Sequence, residues 1–415
     1  MNPARKLAYQ TLDKAIDAAF FGVSGLYRKY EDRARDYVDG HLVNTYDDRT
    51  ANFVGGEMEV LTSRNYEKAL ANIWKAEVAA PYLGLRDATA VEKNAGDKRG
   101  GSIREIDETK EMMRRATSED VRRRFEAATT PEQRDALGWI LSLICHGEAY
   151  ALYTSATLIP HVKGTGSRMG MSLQVMEEAK HFLVLREMLK TLGILKPLHN
   201  SARFLFESVA RAEPYNRLFG MNVMLESFAT STFSTFANFP GIEDIMHQFH
   251  RDEARHVGFP QNYNQAGNIP EHVTKNKRYQ ISRALMLAPA LGAIFDYRPY
   301  FTALGMDVFG FFGKFVAKVT RLAERSGMPL PQKRDELLMA YNLAVNTYFM
   351  RYEPENYKGF VDYTMRSEGE IDPEMEKLER EIYGNDVFGG IGERRYKAIK
   401  KQMDRVYEKR QAQAA

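Results

Sequence analysis

Cysteine is almost missing from this chain of 415 residues: Cys145 stands alone. No internal disulfide can form, and no set of thiolates can cage zinc or an iron–sulfur cluster. Long apolar runs are missing too. The most apolar stretch, Ala284 to Phe295, is broken by Pro289 and is too short to span a bilayer. An excess of one charge is absent: 58 basic against 55 acidic residues leave a net charge of +3. That balance gives no electrostatic case for nucleic acid or an acidic membrane surface. The opening MNPARKLAYQTLDKA lacks the apolar core of a signal peptide. Strand patterns are scarce, and no G-x-G-x-x-G follows one; "GTGSRMG" (164–170) has the wrong spacing and reads as a helix–helix turn. A hydrophobic content of 44% is nevertheless ample for a core. The expectation is an all-α, soluble, cytoplasmic protein.

What is present is helical spacing. Residues 4–36 and 64–83 predict helices, 40–64 have no clear period, and 92–102 ("EKNAGDKRGGS") read as a flexible joint. The charged segment 103–127 is expected at the surface. Four punctuated helices follow. The first opens at Thr130-Pro131, a cap and a first-turn proline, and ends at Pro160. The second runs from about Arg168 to Leu192 and stops at Gly193. The third, after a connection with a short helix, runs from about Tyr215 to Phe236. The fourth, from about Ile242 to Phe259, is ended or kinked by Pro260. Further helices are expected at roughly 278–296, 305–326, 332–352 and 372–383. The organisation is an N-terminal helical extension (1–130), a four-helix unit (131–265) and a C-terminal helical extension (266–415) packed on it.

Two of those helices carry one motif. "MEEAKHF" (176–182) and "RDEARHV" (251–257) both place a Glu three residues before a His. Residues i and i+3 share a helix face, so Glu178 with His181, and Glu253 with His256, can each grip one ion. Carboxylate and imidazole donors suit divalent iron or manganese. Two Glu-x-x-His helices plus one Glu from each of two others make the dimetal pattern of four-helix bundles. The first helix supplies Glu148 in "LSLICHGEAYALY" and the third supplies Glu226 in "MNVMLESFATSTF". An acid on such an apolar face needs a partner. Depth agrees as well. Each of Glu148, Glu178, Glu226 and Glu253 stands eleven or twelve residues from its own turn, roughly 17–18 Å at the rise of an α-helix.

The order Glu148, Glu178-x-x-His181, Glu226, Glu253-x-x-His256 resembles the ferritin-like non-haem di-iron carboxylate superfamily, over about a third of the chain. The form [DE]-E-x-[KR]-H is most similar to the hydroxylase subunits of bacterial multicomponent monooxygenases. The interval from Glu226 to Glu253 is nearer the CoA-ester epoxidase branch. The resemblance implies a ferritin-like four-helix bundle holding two iron ions, with manganese accepting the same donors. It implies dioxygen as co-substrate and a hydrophobic or aromatic compound that is hydroxylated, epoxidised, N-oxygenated or desaturated. Glu177 and Asp252 would support the ligand histidines, with Lys180 and Arg255 as their partners. Thr230, one turn after Glu226, matches the catalytic threonine placed over such sites. His250 is a candidate seventh ligand, by similarity to di-iron N-oxygenases.

With no flavin, nicotinamide or iron–sulfur motif, a separate reductase or ferredoxin must supply electrons. The basic stretch "ERRYKAIKKQMDRVYEKR" is either its dock or a solvated terminal helix. Cys145, Tyr150 and Tyr153 read as interior residues. The phenylalanines of 227–239 and 307–315 read as core or as the wall of an apolar pocket. A homo-oligomer stays open; no nucleic-acid partner and no membrane span are expected. Three other readings compete: a ferroxidase or iron-handling protein, a metal-based radical subunit like that of ribonucleotide reductase, and a metal-stabilised scaffold. Against the first stand more than half the residues, which lie outside the four helices. Against the second stands Leu185, where that family keeps its radical tyrosine.

Overall fold

The computed structural model describes residues 117–237, 239–357, 359–365 and 372–414. The helices expected at 4–36 and 64–83 and the joint at 92–102 lie outside the described residues. Among the described residues every regular element is helical. The charged segment ends in α1 (Glu119–Ala128), which faces solvent but anchors itself through buried Val121 and Phe125. Then come α2 (Pro131–Leu158), α3 (Thr165–Leu192), α4 (Asn200–Ala210) and α5 (Pro214–Leu218). A π-helical segment (Phe219–Leu225) joins α5 to α6 (Glu226–Phe236). After α7 (Glu243–Gln265) and the short α8 (Glu271–Lys275) follow α9 (Lys277–Ala303), α10 (Val308–Arg325) and α11 (Arg334–Tyr352). Last are α12 (Pro373–Tyr383), a 3-10 turn (Asn385–Phe388) and α13 (Glu393–Ala414).

Local chemistry sets the bounds of the helices that matter. The Thr130 hydroxyl accepts from the Gln133 N–H at 3.2 Å, and the Gln133 side chain accepts from the Thr130 N–H at 3.0 Å. That reciprocal cap, with Pro131 in the first turn, starts α2. Gly193 ends α3 in the left-handed region at φ 69°. Helices α2 and α3 pack along each other, as do α6 and α7, and α3 meets α7 across the two pairs. The C-terminal helices close over them: α9 lies on α2 and α4, α10 on α6, and α12 on α7. Gly258 allows the last contact, because a Cβ there would meet Ile382 Cγ2 at 2.9 Å. One apolar core runs through all of these elements, from Val121 to Val387.

Four features depart from the sequence expectation. The run 214–236 is not uniformly α-helical; its π segment ends where Glu226 begins. Such bulges insert one residue per turn and re-aim the side chains beyond them. The fourth helix also does not stop at Pro260 but continues to Gln265. A proline inside a helix removes the N–H that would serve the carbonyl four residues back, here that of His256. Asn222 supplies the missing donor: its Nδ2 donates to the His256 carbonyl at 3.0 Å and to Gln174 Oε1 at 2.7 Å. Likewise α9 passes through both Pro289 and Pro299 and outruns its expected end near 296. Tyr153 corrects another expectation. It is 42% exposed, because it falls on the outer face of α2, whereas Tyr150 and Cys145 are buried.

Replacing Asn222 with Leu should cost about 1–3 kcal/mol in urea unfolding, the range for stranding buried polar partners. Adding Pro260→Ala should recover part of that loss, since the N–H of residue 260 returns to the His256 carbonyl. Equal losses with and without Pro260 would contradict the explanation.

Candidate metal centre

All six predicted ligands are buried and come together. Their donor atoms form two groups, Glu148–Glu178–His181–Glu253 and Glu178–Glu226–Glu253–His256, each within 4.8 Å. Glu178 and Glu253 belong to both. Glu253 touches both histidines: its Oε1 lies 2.7 Å from His181 Nδ1 and its Oε2 lies 2.7 Å from His256 Nδ1. Glu148 Oε2 lies 3.5 Å from His181 Nδ1, while Glu178 and Glu226 lie 3.2 and 3.6 Å from His256 Nδ1. The two imidazole centroids are 6.4 Å apart.

The supporting acids cross over. Asp252 precedes Glu253, yet it accepts from Nε2 of the other motif's His181 at 3.1 Å. Glu177 precedes Glu178 and accepts from Nε2 of His256 at 2.9 Å. A carboxylate only accepts, so each Nε2 carries a proton and each Nδ1 faces the ligand group, where that of His256 meets Glu253 Oε2 with hydrogen-bond geometry. Arg255 ties the two acids together, donating to Glu177 at 2.8 Å and to Asp252 at 2.5 Å. Lys180 contributes less; its Nζ is 4.0 Å from Asp252. The sequence pattern anticipates these acids but not that one arginine serves both.

Two buried amides complete the cradle. Gln174 Nε2 donates to Glu178 at 3.0 Å and to Glu226 at 2.8 Å, and Asn222 holds the far end of Gln174. Each stands one turn before a ligand glutamate on the same face, which is the only sequence signal they carry. His250 is not drawn into either group. Its Nε2 lies 2.8 Å from Glu379 Oε1 on α12, a hydrogen-bonded structural setting rather than a place among the ligands. Thr230 is fully buried; its hydroxyl donates to the Ser227 carbonyl at 3.1 Å and accepts from Lys318 Nζ at 3.3 Å. Nothing in the sequence pairs residue 230 with 318.

Four carboxylates cannot all stay ionised here on protein groups alone. Burial and the Glu253 charge push Glu148 well above the usual carboxylate range. Burial and the Glu178 charge do the same to Glu226. Burial would raise Glu253 too, but the charges of His256 and His181 outweigh it and hold Glu253 well below the ordinary value. Burial disfavours both imidazolium ions, yet the surrounding carboxylates outweigh it and raise His181 and His256 well above the usual histidine value. The donor set therefore demands positive charge, as protons or as cations. The geometry could also hold cations. His181 Nδ1 and Glu253 Oε1 approach to 2.7 Å without hydrogen-bonding alignment, and Glu178 Oε2 is buried with no partner. Two donors on adjacent corners of one metal, at about 2.0–2.2 Å from it, sit roughly 3 Å apart. Nitrogen and oxygen donors of this kind fit divalent iron, manganese or zinc.

No family model, curated protein or solved structure matches this chain. The site therefore stands on its geometry alone. Among the described residues no helix is long and apolar enough to cross a membrane.

The sign of the pH dependence follows from these shifts. Raised His181, His256, Glu148 and Glu226 stabilise the chelated fold while they hold their protons, and that contribution is lost as pH rises through their folded values. Metal must displace the same protons, so it binds better as pH rises. The melting-temperature gain on adding Mn(II) to chelated protein should grow between about pH 6 and about pH 8. A gain that shrinks over that window would contradict the assignment.

Proposed function

We infer that the chain is a non-haem dimetal oxidoreductase, most simply a di-iron oxygenase on a ferritin-like four-helix bundle. The observation that carries the reading is the pair of overlapping ligand groups sharing Glu178 and Glu253. Six buried donors, four carboxylates and two imidazoles on α2, α3, α6 and α7, would suit two ions, with Glu178 and Glu253 available to both. Glu148 and His181 would complete one ion's set, and Glu226 and His256 the other's. A bound iron pair would supply activation of dioxygen; manganese fits the same donors.

The protein groups have separable tasks. Glu177 and Asp252 fix both ring tautomers, and Arg255 holds those two acids in place. Gln174 and Asn222 hold Glu178 and Glu226 against rotation. Thr230, one turn beyond Glu226, is the group to hand a proton into the site. Beside the centre, α6 meets α10 through an aromatic cluster. Phe228 packs against Phe311, Phe312 and Phe315 with centroids 5.6–5.9 Å apart. Apolar surroundings of this kind suit a hydrophobic or aromatic substrate, free or carrier-bound. Electrons come from a separate reductase or ferredoxin. A radical subunit is the weaker reading, because Leu185, one turn after His181, is buried and apolar.

Iron-loaded protein, a chemical reductant, labelled dioxygen and a panel of aromatic and alkyl compounds test the proposal. Labelled oxygen should enter at least one compound, and Glu178→Ala should abolish that incorporation. Uptake of many irons per chain without any organic product would establish iron handling instead.

A further inference from the structure

The supporting acids carry the centre to the protein surface. Arg255 has 52% of its side chain in solvent, and it donates to Glu177 at 2.8 Å. Glu177 in turn accepts from Nε2 of His256 at 2.9 Å. Two hydrogen bonds therefore join an exposed guanidinium to a ligand imidazole. A second arm runs from Arg255 through Asp252 to Nε2 of His181. Arg251, one turn earlier on α7, is exposed, and Lys180 on α3 keeps 26% of its side chain in solvent. Glu177 and Asp252 are buried beneath these cations. The adjoining stretch of α3 is apolar. Leu173 stands one turn before Glu177 and Met169 one turn before that, so the three share a side of the helix. Leu173 is 46% exposed and Met169 68%. Phe259 continues the seam on α7, where a Cβ on Gly170 would meet its ring at 3.2 Å.

A single exposed apolar residue needs no explanation, but neighbours rimmed by charge mark a contact site. This patch is small. It suits a brief encounter of low buried area, the class to which electron-transfer complexes belong, better than a stable dimer. Cations facing outward select an acidic partner and speed its approach. The chain also needs such a partner, because its single cysteine cannot hold an iron–sulfur cluster of its own. The other basic surface is worse placed. Helix α13 carries eight basic residues against three acids. Its inner residues Tyr396, Ile399 and Met403 pack with Val316 and Ala317 of α10 and with Phe360. An electron arriving there must cross α10 before it reaches α6, whereas the Arg255 face is two hydrogen bonds from His256.

We propose that the α3–α7 face formed by Met169, Leu173, Lys180, Arg251 and Arg255 docks an acidic one-electron carrier protein, and that electrons enter through the Glu177–His256 and Asp252–His181 pairs. At each encounter the reduced carrier loses one electron, and one metal ion of the pair gains it. Two encounters return a ferric pair to the ferrous state. Both Nε2–H bonds stay intact, so the route moves electrons without moving a proton. The inference rests on the dimetal reading above.

The test uses the full chain, with an acidic plant-type ferredoxin as the probe. A zero-length carbodiimide joins carboxylates of the ferredoxin to amines of the chelated chain, so this arm needs neither metal nor turnover. The cross-link should fall on Lys180 and weaken in Arg251→Glu and in Leu173→Asp. The second arm follows anaerobic reduction of iron-loaded protein by the same ferredoxin, kept reduced by NADPH and its reductase. Both variants should take up as much iron as wild type, yet ferredoxin should reduce them at least about tenfold more slowly. Photoreduced 5-deazariboflavin, which is uncharged, should reduce all three proteins alike. Added salt should slow ferredoxin with wild type more than with Arg251→Glu. Lys401→Glu/Arg405→Glu on α13 should leave the ferredoxin rate unchanged. Cross-links on Lys397 or Lys401 in place of Lys180, no cross-link at all, or a ferredoxin rate unmoved by Arg251→Glu would overturn the proposal. A wild-type chain that takes up no metal would instead sink the dimetal reading, and the cross-link would still report the dock.

Discussion

Four carboxylates and two imidazoles meet inside this protein, and their need for compensating charge governs its other features. Buried acids without partners are costly. Protons can neutralise the cluster, as the raised Glu148, Glu226, His181 and His256 indicate. Cations could take the same place: His181 Nδ1 and Glu253 Oε1 crowd to 2.7 Å without hydrogen-bonding alignment, and Glu178 Oε2 is buried without a partner. The π segment before Glu226, the Gln174–Asn222 amides and the helix carried through Pro260 all hold the same few atoms at one depth.

The two Glu-x-x-His motifs are one device. Each supplies the acid that orients the other's histidine, Asp252 for His181 and Glu177 for His256, and Arg255 links the two acids. Neither helix makes a complete half-site by itself. The duplication seen in the sequence is therefore reciprocal in space, and it ties α3 to α7 through charge as well as packing. A similar economy joins the C-terminal helices to the centre, where Glu379 of α12 bonds with both Lys318 of α10 and His250 of α7.

Much of this was legible in the sequence, for physical reasons. Ligands three residues apart on a helix report their shared face directly. Thr130-Pro131 and Gly193 mark helix ends through backbone chemistry that acts locally. What local pattern does not encode is the partner supplied by tertiary structure. Pro260 looks like a stop until Asn222 is seen serving the His256 carbonyl. His250 looks like a ligand until Glu379, more than a hundred residues on, is seen beside it. Lys318 sits in an apolar run and gives no hint of Thr230. Tyr153 shares the aromatic pattern of α2 but falls on its exposed side. The π segment changes the register without changing the composition.

X-ray absorption on metal-reconstituted protein tests the central claim most directly, because it counts neighbours around the ion itself. The account predicts two ions per chain, about 3.5–4 Å apart as in two-metal sites. Each should have one imidazole nitrogen and otherwise oxygen donors, and the metal–metal vector should disappear in Glu253→Ala. A single isolated ion, or a metal environment unchanged by that substitution, would contradict it.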